Sequence, residues 1–348
     1  IRYLVLGPSE DTRGGITEVI KTHKRCSFWC QFDCLWVPTY KDSNHLIKIY
    51  YFLCSIVKCI VLLPRYDGIY VHFSEPVSAS RKLFLICLAK MMKKRVIVHF
   101  HSHSVETTVQ GKFVFLYRSI FKLCDKAIVL SEYWKSAVQE LTGSSKKIVI
   151  IRNPANLLTS DLITKREKVV LFAGTVIHRK GYDVLLKGFS LIRNEFPDWK
   201  LVLAGNGELE EAKELANRLH LGDNVIFPGW VTGIEKDKLF STASVFCLPS
   251  RAEGFPMAIL DAIGADIPIV TTPVGGILDI LENNFNSIIT KVGCEKSLAQ
   301  GLRRILSSTN ERDQLVSNMR NVREKLLSVN ACDHAVRTVM KEIAVLEI

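Results

Sequence analysis

Ser250-Arg251-Ala252-Glu253-Gly254-Phe255-Pro256-Met257-Ala258-Ile259-Leu260-Asp261-Ala262 sets two carboxylates, Glu253 and Asp261, eight positions apart around a glycine and a proline. The apolar run 244–249 before it reads as a buried strand, and Met257, Ile259, Leu260 and Ile263 after it recur as a helix requires. Glu253 is therefore expected in a strand-to-helix loop, and Asp261 about two turns further along. In an open parallel α/β sheet such loops lie at the carboxyl ends of the strands, where ligands bind. The stretch thus predicts an α/β fold with both carboxylates at one binding edge.

On both sides of this stretch the same alternation of strand and helix continues, in two successive series. Strands are expected over 2–6, 68–73, 95–101, 127–131 and 147–152, and again over 168–174, 200–205, 224–227, 244–249, 267–272 and 287–290. Helices are expected over 182–193, 208–219 and 234–242, and the tail from 297 onward reads as helical. Strands separated by helices imply crossovers and parallel sheets, hence two Rossmann-like domains. The expected boundaries are residues 1–153 for the first domain, 154–164 for a polar linker and 165–325 for the second. Residues 326–348 form a C-terminal helix able to pack back on the first domain.

Several loops at predicted strand ends have the composition of an anion site. Residues 174–181 follow a strand and precede a helix, which brings Lys180 to a helix N-terminus. Gly205-Asn206-Gly207 and Gly275-Gly276 also follow strands, and their glycines allow backbone amides to approach a phosphate closely. In the first half, Gly14-Gly15 sits in the loop after the first strand. His101 ends a strand, shares its face with His99 and is followed by His103. Any one of these loops is an ordinary turn; together, at successive strand ends, they predict a binding edge.

The central stretch is similar to the E-x7-E signature of the retaining glycosyltransferases of family 4, whose fold is GT-B. The resemblance rests on Pro249-Ser250, Glu253-Gly254-Phe255-Pro256 and Asp261-Ala262-Ile263-Gly264-Ala265-Asp266-Ile267-Pro268, and extends to Gly174-Thr175 followed later by Lys180-Gly181. It implies two domains facing a central cleft and transfer of a sugar from a nucleotide diphosphate sugar, UDP- or GDP-linked, to a hydroxyl acceptor with retained configuration. Its implied catalytic residues are Glu253 beside the donor sugar, Lys180 on the diphosphate and His101 near the donor sugar and acceptor. The implied donor-binding set is Gly14, Gly15, Thr175, Arg179, Lys180, Gly205, Asn206, Gly207, Arg251, Glu253, Gly254, Phe255, Pro256, Asp261, Gly275 and Gly276, with Asp261 accepting from the ribose hydroxyls. Three positions depart from the family pattern: Thr175 replaces an Arg, Asp261 a Glu and Asp266 a Gly. These departures keep open a non-catalytic nucleotide- or glycan-binding subunit of a membrane assembly, beside a GT-B nucleotide-sugar epimerase.

Composition narrows the partners. The 348 residues carry a formal net charge of +11. Residues 1–150 hold 22 Lys plus Arg against 11 Asp plus Glu, whereas residues 151–348 balance at 24 of each. The whole excess belongs to the first half, which suits an anionic surface. Its basic residues, as in 81–95, alternate with apolar ones and not with stacking aromatics, so a membrane carrying a glycan or lipid-linked acceptor is expected, and nucleic acid is not. A core helix with a solvated cationic end fits 81–95 equally. Residues 46–63 approach spanning length, but Lys48 and Lys58 interrupt them and Pro64 ends them, so a buried helix or an interfacial patch is expected.

The ten scattered cysteines predict no disulfide framework, and Cys26, Cys30 and Cys34 lack the pairing of a metal site. A cytoplasmic location on the inner membrane face follows. Ile1 in place of Met puts the native start elsewhere, and no signal peptide is expected. The sequence has no Asp-x-Asp, Walker or GxGxxG motif, so neither a metal-bridged donor site, an NTPase nor a dehydrogenase is indicated. No cofactor and no metal are expected; the nucleotide sugar is a substrate.

Overall fold

The computed structural model describes residues 1–155, 157–158 and 166–345. Most of the linker expected over 154–164 lies outside the described residues. The chain forms two compact units, the first of Ile1–Asn153 with Val329–Ile348 and the second of Pro154–Ser328. Each is built on one six-stranded, wholly parallel sheet.

In the first unit the order is β2-β1-β3-β4-β5-β6. The strands are β1 (Tyr3–Gly7), β2 (Leu35–Pro38), β3 (Gly68–Phe73), β4 (Arg95–Phe100), β5 (Lys126–Val129) and β6 (Ile148–Ile150). β1 and β3 are buried at every residue, as parallel strands covered on both faces must be. One face carries Leu4, Val71, Val98 and Val129 beneath α4 (Pro76–Met91), α5 (Val114–Leu123) and α6 (Glu132–Thr142). The other carries Tyr3, Tyr70, Ile97 and Ile128, covered by α1 (Gly15–Lys24), α2 (Ser27–Gln31) and the C-terminal α13 (Val329–Val345). Asp333 of α13 secures this cover by accepting from the Ser27 hydroxyl at 2.7 Å and the Phe28 amide at 2.8 Å, which caps α2.

β2 departs from the sequence expectation in this unit, and the stretch 46–63 excludes one of the two alternatives expected for it. β2 is a sixth strand that sequence reading missed, because a four-residue edge strand ending at Pro38 shows too little alternation. The apolar stretch 46–63 forms α3 (His45–Leu62), started by Asn44, whose side chain accepts from the Ile47 amide at 3.0 Å. It is not a buried helix: only Ser55 and Cys59 are buried, while Leu46, Ile49, Tyr50, Leu53, Val57 and Val61 face outward.

In the second unit the order is β12-β11-β10-β7-β8-β9. The strands are β7 (Glu167–Ala173), β8 (Lys200–Ala204), β9 (Val225–Gly229), β10 (Ala243–Leu248), β11 (Ile269–Thr271) and β12 (Ile288–Ile289). Between them run α7 (Tyr182–Ser190), α8 (Leu209–Arg218), α9 (Gly233–Thr242) and α10 (Met257–Gly264), followed by α11 (Glu295–Ser307) and α12 (Thr309–Leu326). Asp266, where the resembling family has Gly, adopts φ 54. That is the left-handed region, which Gly enters freely and Asp more readily than most residues. Arg320 and Arg323 of α12 both grip its carboxylate, at 2.9 and 2.6 Å, so the substitution is built into the packing.

Candidate functional site

The loop from β10 to α10 carries Glu253 into a nearly closed environment, 5 % exposed. Three neighbours hold it: the Lys180 ammonium at 2.8 Å, the Ser250 hydroxyl, which donates at 2.7 Å, and the Arg179 guanidinium at 3.7 Å. Burial pushes the Glu253 carboxyl up, but the charge and hydrogen bond of Lys180, then Arg179 and Ser250, outweigh it and hold it below its ordinary value. Glu253 is therefore ionised at neutral pH, and an ordered cation stands at the end of β7.

Glycines let three loops interlock around this pair. A Cβ at Gly181, which has φ 76, would lie 2.1 Å from the Pro249 carbonyl oxygen. One at Gly275, with φ 57, would lie 1.8 Å from that of Glu253. Between those close approaches, Arg251 N–H donates to Arg179 O at 2.7 Å and Gly276 N–H to Gly254 O at 2.9 Å. Gly174 adopts φ 142, a backbone conformation that favours glycine, and a Cβ there would make only ordinary contact with the Lys180 stem, at 3.7 Å. The loop 205–207 joins from β8: Val176 N–H donates to Asn206 O at 2.6 Å, and a Cβ at Gly205 would lie 1.8 Å from Gly174 O.

The expected donor residues thus divide. Lys180, Arg179, Glu253, Gly254 and Gly275 meet in one cluster, and Thr175 lies half-buried on the same loop as Lys180. Gly205, Gly207 and Gly276 are explained first by loop-to-loop contact; the Gly276 amide is committed to Gly254 and is not presented to a phosphate. Phe255 and Pro256 are buried, and Pro256 occupies the N-cap of α10. Arg251, also in the expected donor set, is engaged within the loop: its guanidinium forms a two-pronged pair with Asp183, both contacts at 2.8 Å, and donates to His178 O at 2.6 Å, which braces the loop.

Asp261 lies on α10 with its carboxylate 2.6 Å from the Lys236 ammonium of α9. Sequence reading missed Lys236 and Asp183, since nothing in their spacing marks them, and each meets its partner only when separate elements pack. Ser250, part of the quoted stretch, reaches Glu253 within the same loop.

In the first unit, Gly14 caps α1 with φ 148 and nothing near its missing side chain, so the N-terminus of α1 opens on space. His101 follows β4, and its Nε2 lies 3.0 Å from His72 Nδ1. β3 and β4 run in register with His72 beside His99, and Tyr70 Oη lies 2.7 Å from His99 Nδ1. Burial, reinforced by the neighbouring imidazoles, holds His72 and His99 well below the usual histidine range and takes His101 to about 3. All three are neutral at physiological pH. His103 stands apart from them, paired with Glu75 at 3.0 Å. The repeated Val-His-Phe of 71–73 and 98–100 was the legible signal that His72 and His99 are strand neighbours.

Comparison with known proteins agrees with this architecture. Residues 158–322 match the family described as glycosyl transferases group 1. A glycosyltransferase of Haemophilus influenzae is 32% identical over 182 residues, 51% of each chain. An alpha-1,4-N-acetyl-D-galactosaminyltransferase of Campylobacter jejuni acting on a diNAcBac-PP-undecaprenol glycan is 28% identical over 242 residues, 67% of this chain and 65% of that one. The chain spans about half the length of the first curated relatives it matches. Among solved structures, HepE of Anabaena, crystallised with UDP, aligns with a TM-score of 0.79 at 16% identity over 98% of this chain and 100% of that one. Sucrose-phosphate synthase of Thermosynechococcus elongatus aligns with a TM-score of 0.77 at 16% identity over 99% of both. The fold is GT-B, and residues 158–322, which contain the Lys180–Glu253 site, match the glycosyl transferases group 1 family.

Proposed function

We propose that this protein is a retaining glycosyltransferase that moves a hexosyl unit from a UDP- or GDP-linked sugar to a hydroxyl of a glycan or lipid-linked acceptor in polysaccharide, lipopolysaccharide or capsule assembly. The observation that carries the proposal is the buried Lys180–Glu253 pair beside Arg179 at the end of β7. Breaking a glycosyl–phosphate bond builds negative charge on the leaving diphosphate, and a cation held in place beforehand stabilises that charge without reorganising. Lys180 and Arg179 supply that stabilisation, Glu253 orients them and faces the donor sugar, and His101, neutral, accepts or passes a proton at the acceptor. No cofactor enters this reading; the nucleotide sugar is the substrate.

The experiment is a donor screen. Thermal stabilisation by UDP, GDP, ADP and CMP identifies the base, and release of free nucleotide diphosphate from the matching sugar donor is then followed with and without a lipid-linked acceptor. Acceptor-dependent release with retained anomeric configuration is expected. Stabilisation without release under any acceptor favours the non-catalytic subunit, a reading supported by the Lys236–Asp261 pair.

We further propose that the protein works in the cytoplasm, docked on the inner face of an anionic membrane. The support is α3. Residues 45–65 are the one stretch among the described residues long and apolar enough to cross a bilayer, with mean hydropathy 2.1 and 17% buried. α3 also packs on β2 and α4, and Phe52 meets Phe84 at 6.0 Å, which suits lying in the interface instead of spanning. The basic run 81–95 contributes less than its sequence suggests: Lys82 is buried against Thr39, Lys90 pairs with Asp125 at 2.6 Å, and Arg95 donates to Ala344 O. Replacing Leu53 and Val57 with Ser is expected to abolish co-sedimentation with anionic vesicles. Undiminished pelleting would remove α3 from the interface.

A further inference from the structure

The first unit contains a group of side chains that the transfer chemistry above does not use. His23 of α1, His72 of β3 and His99 of β4 are buried together, each 1 % exposed or less. One potential ligand nitrogen from each lies within 4.8 Å of the other two. Each of the three rings also has one nitrogen buried without a protein hydrogen-bond partner: His23 Nδ1, His72 Nε2 and His99 Nε2.

The opposite nitrogen of every ring is already engaged. His72 Nδ1 lies 3.0 Å from His101 Nε2, His99 Nδ1 lies 2.7 Å from Tyr70 Oη, and His23 Nε2 lies 3.6 Å from Cys332 Sγ of α13. This is the arrangement of a metal-binding histidine, in which one nitrogen ligates and the other is oriented by an outer partner.

We infer that His23, His72 and His99 form a binding site for one borderline divalent transition metal, with Zn²⁺ the natural occupant. Imidazole nitrogens suit zinc, copper, nickel and iron and do not suit Mg²⁺ or Ca²⁺. With Zn–N bonds of about 2.0–2.1 Å, three ligands stand roughly 3.4 Å apart, so the rings close by no more than about 1.5 Å, within reach of small side-chain rotations. A bound ion leaves the proton of His72 on Nδ1, facing His101, and that of His99 on Nδ1, facing Tyr70. The ion ties α1 to the two central strands, with Cys332 as the outer partner from α13. Its role is structural, and no step of the proposed transfer passes through it.

Nothing in the spacing announces this site, because the three ligands are 49 and 27 residues apart and no two share an element. The second unit plays no part in it, so the inference stands or falls separately from the donor chemistry.

The test uses the full chain, stripped with a chelator and titrated with Zn²⁺ and with Co²⁺. One equivalent is expected to bind, with a rise in Tm and, for Co²⁺, visible bands of a low-coordinate site. X-ray absorption of the zinc-loaded wild type should show a nitrogen-only first shell with imidazole outer scattering. His23→Gln should lose more affinity than the roughly 10–100-fold typical of an outer-partner change, whereas His334→Gln, an exposed control on α13, should bind as the wild type does. Absence of a stoichiometric site in the wild type, a sulfur or oxygen shell, or undiminished binding in a folded His23→Gln overturns the inference. If His23→Gln does not fold, the wild-type absorption spectrum decides alone.

Discussion

At the strand ends of the second sheet the protein buries ions, and on one face of the first sheet it buries neutral rings. Glu253 keeps its charge at 5 % exposure because Lys180 and Ser250 touch it and Arg179 stands beside it. His72 and His99 have no counter-ion and give up their charge instead. Both solutions meet one physical demand, that a buried polar group be paired or neutral. They differ in what each leaves available: a preorganised cation in one case, lone pairs in the other.

Removing one member of the ion pair tests this contrast most severely. Lys180→Ala leaves Glu253 buried with weaker partners, so activity should fall by about two to three orders of magnitude, and stability by about 3 kcal/mol. Pairing Lys180→Met with Glu253→Leu should restore most of the stability and none of the activity, since a well-packed apolar pair avoids the desolvation cost. Urea unfolding and turnover, measured on the same preparations, separate the two effects. A stability loss below about 1 kcal/mol in Lys180→Ala would show that Glu253 does not depend on this cation.

The same pair has a pH signature. Glu253 is depressed in the folded state, so its contribution is complete above the ordinary carboxylate value of 4.5 and is lost as pH falls through the lower folded value. Glu253→Gln should flatten that part of the acid limb in urea midpoints taken between about pH 5 and pH 2. An unchanged limb would mean that the folded and unfolded values coincide.

In the first unit the matching change is Tyr70→Phe, which strips His99 Nδ1 of its partner at a cost of about 1–2 kcal/mol. Burial, first, and nearby thiols hold the Tyr70 hydroxyl well above its usual range, so the cost should be equal at about pH 6 and pH 9. A cost that vanishes at the higher pH would show that the hydroxyl ionises. The smallest effect belongs to Asp266→Asn, which keeps a residue tolerant of φ 54 but discharges a carboxylate whose side chain is 19% exposed between Arg320 and Arg323. About 1 kcal/mol or less is expected at this partly hydrated pair. A loss as large as that of Lys180→Ala would show that burial does not set the scale.

Local pattern in the chain specifies the α/β alternation, eleven of the twelve strands among the described residues and the loop that carries Glu253, because these rest on periodicity and on glycine and proline punctuation, which act over a few residues. It also brought Lys180 to the strand end that Glu253 shares. What those groups touch is set by long-range packing. The Lys236–Asp261 pair, the capture of Arg251 by Asp183 and the grip of two arginines on Asp266 each join elements that no local pattern relates. The outward face of α3 was equally hidden: an apolar helix reads the same whether protein or lipid covers it. The meeting of His23, His72 and His99 was set by sheet register and by how α1 packs on β3 and β4, both long-range properties.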